Sequence, residues 1–98
     1  MQLSSLRENE KLTVFVSGRV DTKTAPELDK YTAQNIAGIM ELIFDLAGVT
    51  YISSAGLRAF LQAHKDMQKQ GSMKLINISD DVMEIFDMIG FSNIFTIE

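Results

Sequence analysis

The stretch Phe44-Asp45-Leu46-Ala47-Gly48-Val49-Thr50-Tyr51-Ile52-Ser53-Ser54-Ala55-Gly56-Leu57-Arg58-Ala59-Phe60-Leu61 changes character twice. It leaves a continuous apolar run, Leu42-Ile43-Phe44, passes through small and polar residues, and enters a segment in which Leu57, Phe60, Leu61, His64 and Met67 recur at helical spacing. The first run reads as a strand, Glu41 to Asp45, apolar enough for burial on both faces as in a parallel sheet. The last reads as a core-facing helix, from about Ala55 to Gln70. Between them lies a strand-to-helix loop, where the first N–H groups of the helix have no intrahelical acceptor. Such a junction dictates an α/β chain.

Two readings meet at Ser53 and Ser54. A serine before a helix accepts an N–H of the first turn and is worth about 1 kcal/mol over Ala. The same unpaired N–H groups, with the positive end of the helix dipole, also suit a phosphate. Gly56 sits in the first turn, where Gly costs roughly 1 kcal/mol relative to Ala, so it reads as a place where another backbone comes close. On that reading Gly56→Ala keeps or gains stability and loses a partner. Arg58 is a cation placed against the dipole; it is either a solubilising residue or a guanidinium for a phosphate on Ser54 or for an acidic partner.

The remaining elements follow on either side. Leu3 to Arg7 is a weakly alternating strand, Glu8-Asn9-Glu10 a turn and Leu12 to Val16 a firmer strand, which makes an N-terminal hairpin that Gly18 ends. Asp21-Thr22-Lys23 is a turn into Thr24-Ala25-Pro26-Glu27, which has the form of a capping box with Pro in the first turn. The helix that starts at Ala25 carries Leu28, Tyr31, Thr32, Ile36 and Ile39 on one face and stops near Gly38. Gly71 reads as the left-handed stop of the second helix, with Lys65 and Lys69 placed well against its C-terminal dipole. Met73 to Ile78 is a strand, Ser79-Asp80-Asp81 caps a helix with Val82, Ile85, Phe86 and Ile89 on its apolar face, Gly90 stops it, and Ile94 to Ile97 is a last strand. Asp45 reads as a loop brace that accepts backbone N–H bonds, because no paired carboxylate closes an earlier strand to make a phosphoacceptor or metal pocket with it.

The run Val49 to Leu57, with its Ser53-Ser54-Ala55-Gly56 core, resembles the signature of the STAS domain, in the branch of the anti-sigma-factor antagonists. Val16 to Asp21 with Thr24 to Leu28 resembles that family's strand, turn and first helix, and Phe86 to Phe91 its third helix and exit. The three stand in the family's order and spacing along the chain. The resemblance implies one STAS domain over residues 1–98: an α/β fold of order β-β-α-β-α-β-α-β, with a mixed sheet, an N-terminal hairpin and helices packed on it. It lacks the C-terminal helix that the family commonly carries, the chain stopping at Glu98.

The resemblance also implies a function. Aligned on its Gly-Leu pair, the phosphoacceptor is Ser54, while Ser53 stands where the family has Asp. The implied protein captures an anti-sigma factor that is itself a serine kinase, so releasing the sigma factor, and lets go when Ser54 is phosphorylated; a serine phosphatase restores it. The expected contact surface is Ser53, Ser54, Gly56 and Arg58 with the Asp21, Thr22, Lys23 and Thr24 turn beside it, since both loops leave strand ends on one edge of the sheet. Ser53 in place of Asp keeps open the alternative of a constitutive STAS scaffold or transporter-associated subunit that takes no phosphate.

Composition narrows the classes. Ninety-eight residues make one domain, and 46% hydrophobic with 22% charged residues is the balance of an ordinary globule. With no cysteine there is no disulfide, thiolate zinc site or cysteine nucleophile. A net charge of −4 without a basic cluster argues against nucleic acid and suits a basic protein partner. No signal-like start or long apolar run is present, which predicts a cytoplasmic protein without a membrane segment. His64, the single histidine, reads as structural, and the six methionines as packing or contact residues. No Gly-rich phosphate cradle, cofactor motif or catalytic constellation can be assembled, so the chain reads as a binding module and not an enzyme.

Overall fold

The computed structural model describes residues 1–98. Eight elements follow in the order expected: β1 (Gln2–Glu8), β2 (Lys11–Val20), α1 (Ala25–Asn35), β3 (Glu41–Ile52), α2 (Ser54–Gln68), β4 (Ser72–Ile76), α3 (Asp80–Ile89) and β5 (Thr96–Ile97). The strands form one sheet in sequence order; β1 and β2 are antiparallel, and β2–β3, β3–β4 and β4–β5 are parallel. The hairpin turns at Asn9, held at φ +57, a left-handed conformation Asn tolerates better than most residues.

Alternation on the strands decides where the core lies. Leu12, Val14 and Val16 of β2, Leu42, Phe44 and Leu46 of β3, and Met73 and Leu75 of β4 belong to one buried cluster with Leu28, Phe60 and Phe86 of the three helices. Phe44 meets Phe60 edge-on at 5.0 Å. All helices therefore cover one face of the sheet. The other face, with Thr13, Phe15, Ile43, Lys74 and Ile76, has no helical layer, which corrects the expectation that β3 is buried on both sides by packed elements. Ile43 is only 4% exposed yet lies outside the core cluster; its cross-strand neighbours Thr13 and Lys74 cover it. Lys74 is held there between Glu41 at 3.7 Å and Glu98 at 3.2 Å.

The largest departure from the sequence reading is β3. The strand does not end at Asp45; it runs 12 residues to Ile52. Its partner β2 has 10 residues, and the two extra residues of β3 are taken up at register shifts between Phe15 and Ser17 and between Gly18 and Arg19. These are β-bulges, which break the alternation a sequence reader looks for. Asp45 marks the place where β4 leaves β3, and it is the expected brace: its carboxylate accepts the Ala47 N–H at 3.0 Å and the Asn77 side-chain N–H at 3.1 Å.

Two glycines and one cap also read differently in the structure. Gly18 does not end β2 but lies inside it at φ +86, next to the second bulge. Gly71 is not in the left-handed region; a Cβ there would collide with the Met40 carbonyl, so close approach of two backbones explains it. Thr24 makes no side-chain cap, because its own backbone is already helical. The last strand is confined to Thr96 and Ile97. Gly90 stops α3 in the left-handed region as expected, and His64 packs edge-on against Phe95 at 5.8 Å, in keeping with a structural role. No helix is long and apolar enough to cross a membrane.

Candidate functional site

The long β2–β3 pair carries two chain turns to the same end of the sheet. Val20 and Ile52 are register partners, and the Ser53 N–H closes the junction by donating to the Val20 carbonyl at 2.9 Å. Ser53 is the cap of α2: its backbone is extended, its Oγ accepts the Gly56 N–H at 3.3 Å and its carbonyl accepts the Leu57 N–H at 2.9 Å. Ser54, the first helical residue, is exposed. Only the N–H groups of Ser54 and Ala55 remain without an acceptor at this helix start.

Gly56 is buried, which corrects the reason given for it. A Cβ there would lie 2.6 Å from the Val20 carbonyl oxygen and 2.9 Å from Val20 Cγ1. The close backbone is the protein's own β2, not a visitor's. Gly56→Ala is therefore expected to cost stability, the reverse of the sequence reading.

Beside this junction stands the turn after β2. The Asp21 carboxylate accepts the N–H of Lys23 at 3.0 Å and of Thr24 at 3.2 Å, and Thr24 Oγ1 accepts the Asp21 N–H at 2.8 Å while donating to the Arg19 carbonyl at 2.9 Å. The backbone hydrogen bond from Thr24, more than any other contact, holds the Asp21 carboxyl below its ordinary range. Thr24 thus locks the turn from within in place of capping α1. Thr22 and Lys23 are left exposed at its tip.

A groove of about 330 Å³ runs between the first turns of α1 and α2, lined by Thr22 from the turn after β2 and by Pro26, Asp29, Ala55, Arg58 and Gln62 among others from the two helices. Arg58 is exposed and has no ion-pair partner. Opposite it, partial desolvation against the groove wall and then the Asp66 carboxylate push the carboxyl of Asp29, an exposed residue, above its ordinary value. The structure therefore brings Thr22 and Arg58 into one groove, with Ser53 and Ser54 just before its lining residue Ala55 in the chain, while Gly56 is buried against Val20.

Two residues with no motif of their own in the sequence also belong here. Arg19 and Tyr51 are register partners on β2 and β3; the guanidinium lies 4.3 Å from the Tyr51 ring centre and 3.7 Å from the Asp21 carboxylate, a cation–π contact that ties the two turns together. The signal was available, since Arg19 stands two residues before Asp21 as Tyr51 does before Ser53, but it is invisible once β3 is cut short at Asp45. No group of three or more His, Cys, Asp or Glu is close enough to hold a metal ion.

A five-stranded sheet with one helical layer and a capped serine junction at the end of its longest strand pair defines a small α/β domain of the STAS fold. The chain belongs to the STAS domain family, whose model matches residues 4–98. It is 34% identical over 97 residues to the anti-sigma-B factor antagonist of Listeria monocytogenes, a match that covers 94% of this chain and 82% of that protein. The crystal structure of an anti-sigma factor antagonist from Mycobacterium paratuberculosis superposes with a TM-score of 0.87 at 21% identity, over 98% of this chain and 83% of that one. A sulfate transporter family protein from Wolinella succinogenes shares the fold as well, with a TM-score of 0.77 at 17% identity, over 91% and 74% of the two chains.

Proposed function

We propose that this chain is an anti-sigma factor antagonist whose capture of an anti-sigma factor is switched off by phosphorylation of Ser54. The fold alone does not choose this reading, because it is shared with a transporter family protein; the 34% identity to an anti-sigma-B factor antagonist favours it. The observation that carries the site is the exposed Ser54 at the start of α2, next to a residue that already caps the helix, with the unpaired Arg58 four residues on. Ser53 spends its Oγ on the helix. Ser54 is the hydroxyl that is free to react.

The contact surface proposed is Thr22 and Lys23 at the tip of one turn, Ser53, Ser54 and Arg58 on the other, with Asp21 and Thr24 holding the first turn and Gly56 seating the second. The partner is an anti-sigma factor that is also a serine kinase, and a serine phosphatase reverses the modification. A phosphoserine adds a charge of about −1.5 to −2. Within the free protein it meets the Ser54 and Ala55 N–H groups and the positive end of α2, so the fold is kept or slightly stabilised. At a packed contact the same charge has to be desolvated, and binding falls by a factor of hundreds or more.

The experiment is a calorimetric titration of the anti-sigma factor with parent, Ser54→Asp and Ser54→Ala proteins, together with mass analysis after incubation with ATP and that kinase. The expected result is one phosphate on Ser54, loss of binding for Ser54→Asp, and retained binding without phosphorylation for Ser54→Ala. Equal affinity for parent and Ser54→Asp, with phosphate on Ser53 or on neither serine, refutes the switch and favours a constitutive scaffold.

A further inference from the structure

The two edges of the sheet are unlike. β5 offers two residues, whereas β1 offers an unbroken seven, each paired with β2 on one side and open on the other. An open strand edge is a row of unpaired N–H and C=O groups, and proteins usually blunt it with Pro, Lys, a bulge or an inward charge. Gln2-Leu3-Ser4-Ser5-Leu6-Arg7-Glu8 has no Pro, no Lys and no bulge, and its one charge on the core side, Arg7, pairs with Leu12 at the hairpin end of the strand. Only Leu3 in it is even half-buried.

We propose that β1 pairs edge to edge with β1 of a second copy of this chain, antiparallel about a two-fold axis at Ser5. Such an axis, perpendicular to the sheet, keeps the faces in step: Gln2 stands opposite Glu8 of the second copy, Leu3 opposite Arg7, and Ser4 opposite Leu6. Both flanks of the edge carry a hollow that this register fills. On the open face a hollow of about 390 Å³ is lined by Ser4 and Phe15 among others, and the Leu6 that faces Ser4 from the second copy enters beside it. Leu6 and Phe15 are now 53% and 42% exposed; pairing covers both.

On the helical face, a hollow of about 320 Å³ between β1 and α1 is lined by Leu3, Glu27, Lys30, Tyr31 and Gln34. The Arg7 that faces Leu3 from the second copy reaches it. Glu27 has no ion-pair partner within the chain, and Arg7 is bonded only to the carbonyls of Asn9 and Ala37, so the register supplies a carboxylate for each guanidinium, twice by symmetry. Seven paired residues span roughly 23 Å. The short β5 edge does not extend the sheet further, so the assembly closes as a dimer with a continuous sheet of two copies and does not grow into a fibre.

Sedimentation equilibrium of the protein from the micromolar to the millimolar range tests this, together with cross-linking. The expected result is a monomer–dimer equilibrium that Leu6→Lys and Arg7→Glu each weaken about tenfold or more, and that Arg7→Glu combined with Glu27→Arg restores. Because the chain has no cysteine, Ser5→Cys places one thiol at the axis; mild oxidation links it into a covalent dimer, while Gln68→Cys, on the exposed side of α2, stays monomeric. A protein that remains monomeric throughout overturns the proposal. So does a dimer indifferent to Leu6→Lys and to the Arg7–Glu27 exchange, or one that Gln68→Cys captures as readily as Ser5→Cys.

Discussion

Gly56→Ala separates the two explanations of that glycine, and the geometry sets its magnitude. An alanine Cβ would stand 2.6 Å from the Val20 carbonyl oxygen, well inside the 3.4 Å at which ordinary contact begins. Relief requires α2 to move off β2 by most of an ångström, yet the same Val20 carbonyl accepts the Ser53 N–H that anchors the helix start. Overpacking a tight contact costs about 1–3 kcal/mol, and the helix-propensity gain of Ala over Gly returns about 1 kcal/mol. Because the 2.6 Å approach is to a backbone atom that cannot swing away, the cost is expected in the upper half of that range, about 2–3 kcal/mol, and the net loss is about 1–2 kcal/mol. With a urea m-value of about 1–3 kcal/mol/M for a small protein, the unfolding midpoint falls by about 0.3–2 M, with the slope unchanged. A midpoint equal to or above that of the parent refutes the packing account and restores the view that the glycine exists for an outside partner.

Thr32 is 4% exposed and its Oγ1 finds no hydrogen-bond partner; Thr32→Val removes an unsatisfied buried hydroxyl without changing shape, and urea unfolding is expected to show a gain of about 1 kcal/mol. Asp29 is expected to make stability depend on pH in the direction opposite to most carboxylates. Because partial desolvation and Asp66 raise its folded pKa above 3.8, the unfolded chain releases that proton first, so stability is lost as pH rises from the ordinary value through the folded one. Asp29→Asn should therefore raise the thermal midpoint at neutral pH and leave it unchanged at pH values below the carboxylate range, and a midpoint shift of equal size at both would show that charge is not the cause.

How far the sequence carried the reading follows from what each signal depends on. Helix starts and stops were legible where the side chain itself does the work, as at Ser79, which caps α3 through the Val82 N–H, and at Gly90. They were misread where a remote backbone decides. Gly56 and Gly71 answer to Val20 and Met40, far away in sequence, so local propensity points to the wrong cause. The length of β3 was hidden for a related reason: Ala47, Gly48 and Thr50 look like loop residues, and only pairing with β2 through two bulges makes them strand. The junction at Ser53 and Ser54 was legible because a capping serine beside a free one is a local pattern. Arg19 and Tyr51 were not, because their contact exists only once β3 is extended.

The resemblance puts Ser53 where the family has Asp, and the geometry of the junction sets what that exchange is expected to change. As a cap the two are equivalent in reach: either accepts the Gly56 N–H that Ser53 Oγ now accepts at 3.3 Å. They differ in charge. In the unmodified protein Ser53→Asp adds an anion at the positive end of α2 and is expected to stabilise by about 0.3–1 kcal/mol. Once Ser54 carries phosphate, that carboxylate sits beside a charge of about −1.5 to −2, and at roughly 6 Å in a medium between surface and bulk water the repulsion is on the order of 1–3 kcal/mol. The sign of the phosphate's effect on stability is thereby expected to reverse, stabilising with Ser53 and destabilising with Asp at that position. Thermal unfolding of the four forms, with and without phosphate on each protein, isolates the coupling as a double-mutant cycle. Additive effects would show that the two side chains do not share the helix terminus, and the electrostatic account of this junction would fall with them.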